Sequence, residues 1–199
     1  MEKYKRILLL GFRCAGKTTI SKKLSKMMNM SLIDIDEEIE KEQGKTITEI
    51  TNDGENWEHF RHLELEKLRE VLQMQNVIIS CGGGIGVNDV KYNDNLTYGD
   101  LEGELIINST DTLKILLYTS KRVLRQRLYL SKINKNNRPD LGDKTYNIGE
   151  YISSNIKILR EREKKYKELA DIIFDASSKN ILENASNLLN IIKTYEVYK

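Results

Sequence analysis

The stretch Gly11-Phe12-Arg13-Cys14-Ala15-Gly16-Lys17-Thr18-Thr19 carries the densest chemistry in the chain. A glycine, four residues, then Gly-Lys-Thr follows an apolar run and precedes a helical one, the context in which this pattern builds a phosphate loop. Backbone N–H groups of such a loop wrap a β-phosphate, and the positive end of the next helix dipole adds to the attraction. Lys17 sets a point charge on the β- and γ-phosphates, and the Thr18 hydroxyl is a ligand for Mg²⁺. With Gly11, Cys14, Ala15, Gly16 and Thr19 completing the loop, the expected ligand is ATP with Mg²⁺. The pattern requires glycine only at Gly11 and Gly16, so Cys14 is permitted and reads as a packing thiol.

Two further clusters could receive what the loop delivers. In Leu32-Ile33-Asp34-Ile35-Asp36 the carboxylates alternate as strand residues do, so one can approach a metal while the other meets an acceptor. Equally, Asp36 could cap a helix starting at Glu37 with Asp34 at the surface, and the residues alone leave both readings open. Gly82, Gly83 and Gly84 bring backbone amides without side chains close to a ligand, or form an ordinary tight turn.

These clusters need elements to hold them. Five short apolar runs read as buried strands: 7–10, 32–34, 77–80, 114–118 and 171–174. Helical spacing of Ile20, Leu24, Met27 and Met28, of Phe60, Leu63, Leu68, Val71 and Leu72, and of Ile181 to Ile192 fills the intervals. Alternating strands and helices predict an α/β fold, a parallel five-stranded sheet covered by helices on both faces, with ligands beyond the carboxyl ends of the strands. The three polar clusters follow strands one, two and three, so they gather at one edge. Segments 91–105 and 131–150 are polar and rich in Lys, Asn and Gly, and read as mobile surface segments.

At 199 residues the chain is sized for one domain. Its 32 basic and 30 acidic side chains are interspersed, which gives no field for nucleic acid or a membrane surface. No apolar run is long enough for a signal peptide or a membrane span, and Cys14 and Cys81 form neither a disulfide framework nor a zinc motif. A soluble protein of a reducing cytoplasm is expected.

Further motifs follow in a set order. After Asp34-Ile35-Asp36 come Gly44-Lys45-Thr46-Ile47-Thr48-Glu49-Ile50, Phe60-Arg61-His62-Leu63-Glu64, Ser80-Cys81-Gly82-Gly83-Gly84, Arg138-Pro139, and a helix with Arg162, Tyr166 and Ala170. In this order, over about 7–175, the chain resembles the shikimate kinases. The resemblance implies a three-layer P-loop kinase fold over 1–199, with a substrate region at about 34–64 and a lid at about 131–150. It implies ATP-dependent phosphorylation of the shikimate 3-hydroxyl, in aromatic amino acid biosynthesis, by a cytoplasmic monomer whose partners are ATP and shikimate.

Roles follow from the same resemblance. Asp36 would hold the acceptor hydroxyl and take its proton, and Asp34 would serve the metal through a water. Arg61 and Arg162 would clamp the carboxylate, for which guanidinium forks are suited, with Gly82, Gly83 and Gly84 beside them. Arg138, on the lid, would reach the transferring phosphoryl group. Arg127 would stack on adenine, with Arg122 and Arg125 as the other candidates and the loop 175–180 as the opposite wall. Arg160 lies about 200° from Arg162 around a helix and would face solvent. His59 and His62 read as surface or site-edge residues and Trp57 as helix packing. The chain departs from the family at Cys14 and Asn56, where glycine is usual, at Cys81, and in lacking a proline before Tyr166. A gluconate or nucleoside monophosphate kinase, or a non-catalytic ATP-binding module, are the alternatives.

Overall fold

The computed structural model describes residues 4–134, 139, 147–178 and 180–198. Five strands, Arg6–Leu10 (β1), Ser31–Asp34 (β2), Val77–Ser80 (β3), Thr112–Tyr118 (β4) and Ile172–Asp175 (β5), pair in parallel in the order β2-β3-β1-β4-β5. The helices are Lys17–Met28 (α1), Ile35–Gln43 (α2), Ile47–Ile50 (α3), Trp57–Val71 (α4), Tyr98–Asn108 (α5), Lys121–Ile133 (α6), Ile148–Leu169 (α7) and Ile181–Tyr198 (α8).

Central strand β1 explains the layering. Ile7 and Leu9 join a core with Ile20 and Leu24 of α1 and Leu188 and Ile192 of α8, while Leu8 and Leu10 join another with α2, α4 and α7. Both faces of the strand are buried, which a parallel sheet under two helical layers requires and which a continuous apolar run encodes. Register then sets the site. Leu9 pairs with Ser80 and Ser80 with Asp34, so the ends of β1, β2 and β3 open onto one edge.

One expectation is corrected. Segment 91–105 is not a mobile surface stretch: after a bridge between Lys91 and Thr97, its second half winds into α5. Thr97 and Asp100 start that helix reciprocally, Asp100 N–H donating to the Thr97 hydroxyl at 3.1 Å and Thr97 N–H to the Asp100 carboxylate at 3.0 Å. Its buried positions include Gly99, Glu102 and Gly103, residues that hide an inward face from any hydrophobic pattern. Of the expected 131–150 segment, residues through Ile133 belong to α6 and those from Ile148 to α7. Arg138 and most of the proposed lid lie outside the described residues.

Candidate active site

The phosphate loop leaves β1 at Gly11, where φ is +142° and a Cβ would sit 2.7 Å from the Leu117 carbonyl oxygen, so only glycine fits. α1 begins at Lys17. The Lys17 ammonium donates to the carbonyls of Gly11 at 2.7 Å and Phe12 at 3.1 Å, curling over the loop it serves. The Thr18 hydroxyl and the Ser80 hydroxyl both donate to Asp34 Oδ2, at 2.8 and 2.9 Å. A cleft of about 860 Å³ is lined by Cys14, Gly16, Lys17, Thr18, Thr19, Asp34, Asp36, Cys81 and Ser131.

Cys14 has φ +61°, in the left-handed region. An L-residue there costs about 1–2 kcal/mol, which accounts for a loop position where glycine would be easier. Replacing Cys14 by glycine should therefore raise stability by roughly 0.5–1 kcal/mol, or about 1–4 °C in Tm. Calorimetry tests this, and an unchanged or lower Tm would mean the thiol's packing outweighs the backbone strain.

Arg127 donates from Nη1 to the carbonyls of Cys14 at 3.3 Å and Ala15 at 2.9 Å, and from Nη2 to that of Ala176 at 2.9 Å. It ties the phosphate loop to the chain after β5. Arg122 and Arg125 are exposed on the same helix.

A second pocket opens beside the cleft and is lined by arginines, carboxylates and glycines. Arg61, on α4, ion-pairs with Glu64 one helical turn on, both fully enclosed. Burial is the larger influence on Glu64 and pushes its carboxyl up to about 7 against the pull of Arg61. Burial works against the Arg61 charge, but the contact with Glu64, the largest opposing influence, keeps its pKa raised. Trp57 lies with its ring centroid 4.8 Å from the Arg61 guanidinium carbon and edge-on to Phe60. It walls this pocket, which corrects the reading of Trp57 as helix packing alone.

The glycine triplet forms the floor. A Cβ at Gly84 would come within 2.5–2.6 Å of the Arg61 guanidinium, and one at Gly82 within 2.7 Å of Asp36 Oδ1. The Gly83 carbonyl accepts from Arg162 Nη1 at 3.2 Å and from the Tyr166 hydroxyl at 2.6 Å, both on α7. Burial pushes the Tyr166 phenol up to about 12, so it stays a donor. Arg162 is buried and Arg160 exposed, as their helical phase predicts. His59 and His62 are both exposed. Substituting Gly84 with alanine should push the guanidinium aside and weaken acceptor binding by about tenfold or more, read as KM for the acceptor with KM for ATP as reference. An unmoved acceptor KM would detach Arg61 from binding.

Asp36 borders both cavities. It lies in the first turn of α2, which begins at Ile35, and Asp34 is the N-cap residue, buried and without a side-chain capping bond. The alternative in which Asp36 caps a helix from Glu37 and Asp34 sits at the surface is thereby removed. Arg13 was not singled out by sequence: it is buried, donates from both Nη atoms to the Pro139 carbonyl at 3.1 Å, and lines the acceptor pocket. It fills one of the unspecified positions of the loop pattern, where residue type carries no signal. Glu64 could have been found, since three residues along a helix puts it on the Arg61 face.

A family model described as shikimate kinase matches residues 13–193. The shikimate kinase of Chlorobium limicola is 34% identical over 96% of this chain and 88% of that protein. That of Chlorobaculum tepidum is 33% identical over 98% and 94%. The matched region spans 52% of the Aquifex aeolicus shikimate kinase and 25% of the bifunctional shikimate kinase/3-dehydroquinate synthase of Thermotoga maritima. Among solved structures, shikimate kinase from Acinetobacter baumannii in complex with shikimate superimposes with a TM-score of 0.79 at 25% identity, over 98% of this chain and 96% of that one. A gluconokinase from Sinorhizobium meliloti reaches 0.52 at 12% identity, over 98% of this chain and 97% of that one, which is likeness of fold alone.

Proposed function

The chain belongs to the shikimate kinase family, and on that footing we propose that it transfers the γ-phosphoryl group of ATP to the 3-hydroxyl of shikimate, giving shikimate 3-phosphate and ADP. The observation that carries this reading is Asp36, whose carboxylate borders the phosphate cleft on one side and the arginine-lined pocket on the other. A hydroxyl held there lies between its acceptor for a proton and the phosphoryl group it attacks.

The division of labour follows from charge and reach. Lys17 and the loop amides hold the β- and γ-phosphates, with Gly11, Cys14, Ala15, Gly16 and Thr19 shaping the cradle. Arg127 borders the nucleotide side. Arg61 and Arg162 take the acceptor's carboxylate, and Gly82, Gly83 and Gly84 let its ring approach the backbone. Asp36 orients the 3-hydroxyl and accepts its proton as the phosphoryl group leaves ADP. Arg138, which lies outside the described residues, would neutralise the transferring group.

Thr18 and Asp34 fit a Mg²⁺ ion: a hydroxyl and a carboxylate meet at 2.8 Å at the mouth of the loop, a hard oxygen pair that leaves most positions to phosphate and water. When bound with ATP, the ion would offset charge building on the phosphates. Among the described residues no helix is long and apolar enough to cross a membrane.

The test is ADP release with and without shikimate, run beside gluconate and nucleoside monophosphates. Shikimate-dependent release is expected. Turnover only on another acceptor would move the chain to a different small-molecule kinase, and ATP binding without acceptor-dependent release would make it a binding module.

A further inference from the structure

Behind the acceptor pocket lies a carboxyl that the proposed reaction does not use. Glu102, from α5, is fully enclosed. Its Oε2 accepts from Gly86 N–H at 2.8 Å and from Asn88 Nδ2 at 3.0 Å, and Asn88 Nδ2 also reaches the Gly84 carbonyl at 3.3 Å. Glu102 therefore fastens the turn that starts at Gly84, the residue against which the Arg61 guanidinium lies. Its Oε1 has no hydrogen-bond partner among the described residues, and neither has Glu64 Oε1.

Two enclosed carboxyls in one cluster do not both ionise readily, because burial and mutual repulsion act together. Of the two, Glu64 has a guanidinium in direct contact, whereas Glu102 has only an amide and a carboxamide. The proton belongs on Glu102, at the oxygen that lacks a donor. We propose, resting on the acceptor reading above, that Glu102 is a positioning residue of the acceptor site: as a neutral acid it pins the Gly84–Asn88 turn beneath Arg61 and adds no negative charge to compete with the acceptor's carboxylate for Arg61 and Arg162. Arg61 and Arg162, the guanidinium groups that face it, then stay available to that anion. An ionised Glu102 would compete with that anion for both guanidinium groups.

The neighbouring charges agree. Burial first, then Glu64, drives the Glu102 carboxyl well above the usual carboxylate range, while the Gly86 N–H, Arg61 and Arg162 pull the other way. From α4 it is faced by Arg61 and Glu64, from α7 by Arg162, and from the end of β3 by Cys81, whose thiol burial pushes up and so keeps neutral. Asp100 and Glu104 on its own helix are exposed.

The test is the pH profile of KM for shikimate, from about pH 6 to about pH 10, in the wild type and in Glu102→Gln, with KM for ATP measured on the same preparations. In the wild type the shikimate KM should rise on the order of tenfold over the alkaline range as Glu102 ionises, and the ATP KM should not follow it. Glutamine keeps an acceptor for Gly86 N–H and cannot ionise, so its alkaline rise should disappear. A second variant, Glu102→Ala, removes the acceptor for Gly86 N–H and should raise the shikimate KM by about tenfold at neutral pH with the ATP KM unmoved, most of which Glu102→Gln should restore. An equal alkaline rise in Glu102→Gln, or an unmoved shikimate KM in Glu102→Ala, overturns the proposal while leaving the acceptor reading intact. Absence of shikimate-dependent ADP release in the wild type overturns the acceptor reading itself.

Discussion

Asp36→Asn should lower kcat by about 10²–10⁴-fold while leaving KM for ATP within a few-fold of the wild type. Asparagine preserves the shape and can still orient a hydroxyl, but it removes the charge and the proton acceptor. Phosphoryl transfer is largely positioning and charge neutralisation, so the lower end of that range corresponds to a base engaged late and the upper end to one that also aligns the attacking oxygen. Lys17, Thr18 and Asp34 are untouched, which is why ATP binding should hold. Steady-state kinetics with a separate ATP titration checks both halves. Unchanged kcat would take Asp36 out of the chemistry, and lost ATP binding would show that the substitution disturbed the phosphate cleft instead.

How far the site is legible in sequence depends on whether a residue's role is local. Gly11, Gly16, Lys17 and Thr18 act within one loop, and their spacing alone identifies it. β1 and β3 are legible because every position in them is buried, so apolar type runs on without alternation. α5 was not, because its inward face carries Gly99, Glu102 and Gly103, chosen for close approach and for a buried bond to Gly86 rather than for hydrophobicity. Arg13 and Trp57 owe their place in the pocket to tertiary packing that no spacing encodes. The departure at Asn56 has a local account: the chain enters α4 through Asn52, Asp53 and Gly54, all with positive φ, and Asn56 precedes Trp57 as N-cap without a capping bond. That altered entry still delivers Trp57, Phe60 and Arg61 to the pocket.

Removing the two clamp arginines should give different results, and the difference follows from what each leaves behind. Among the described residues Arg162 meets the Gly83 carbonyl at 3.2 Å and ion-pairs with no carboxylate, so Arg162→Ala mainly deletes a cation from the pocket. Loss of a buried charge contact of about 2–4 kcal/mol corresponds to a rise in shikimate KM of about 30- to 10³-fold, with KM for ATP little altered. Arg61→Ala deletes the same kind of anchor but also strands Glu64, which is fully enclosed. Breaking such a pair costs about 3–5 kcal/mol unless the survivor takes a proton. With its carboxyl already at about 7, Glu64 can do so below neutrality. Its folded pKa lies above the unfolded value and would rise further without Arg61, so the folded state holds a proton that the unfolded state has released, and stability falls as pH climbs from about 4.5 through 7 and beyond. Arg61→Ala should therefore lose shikimate affinity at every pH and lose stability more steeply between about pH 6 and about pH 8 than the wild type does, whereas Arg162→Ala, which keeps the Arg61–Glu64 pair, should show the affinity loss with a slope nearer that of the wild type. Urea titrations at the two pH values, set beside shikimate KM, separate the cases. A flat stability profile in Arg61→Ala would mean Glu64 finds another partner when its guanidinium is gone, and an unaltered shikimate KM in Arg162→Ala would leave Arg61 to hold the carboxylate alone.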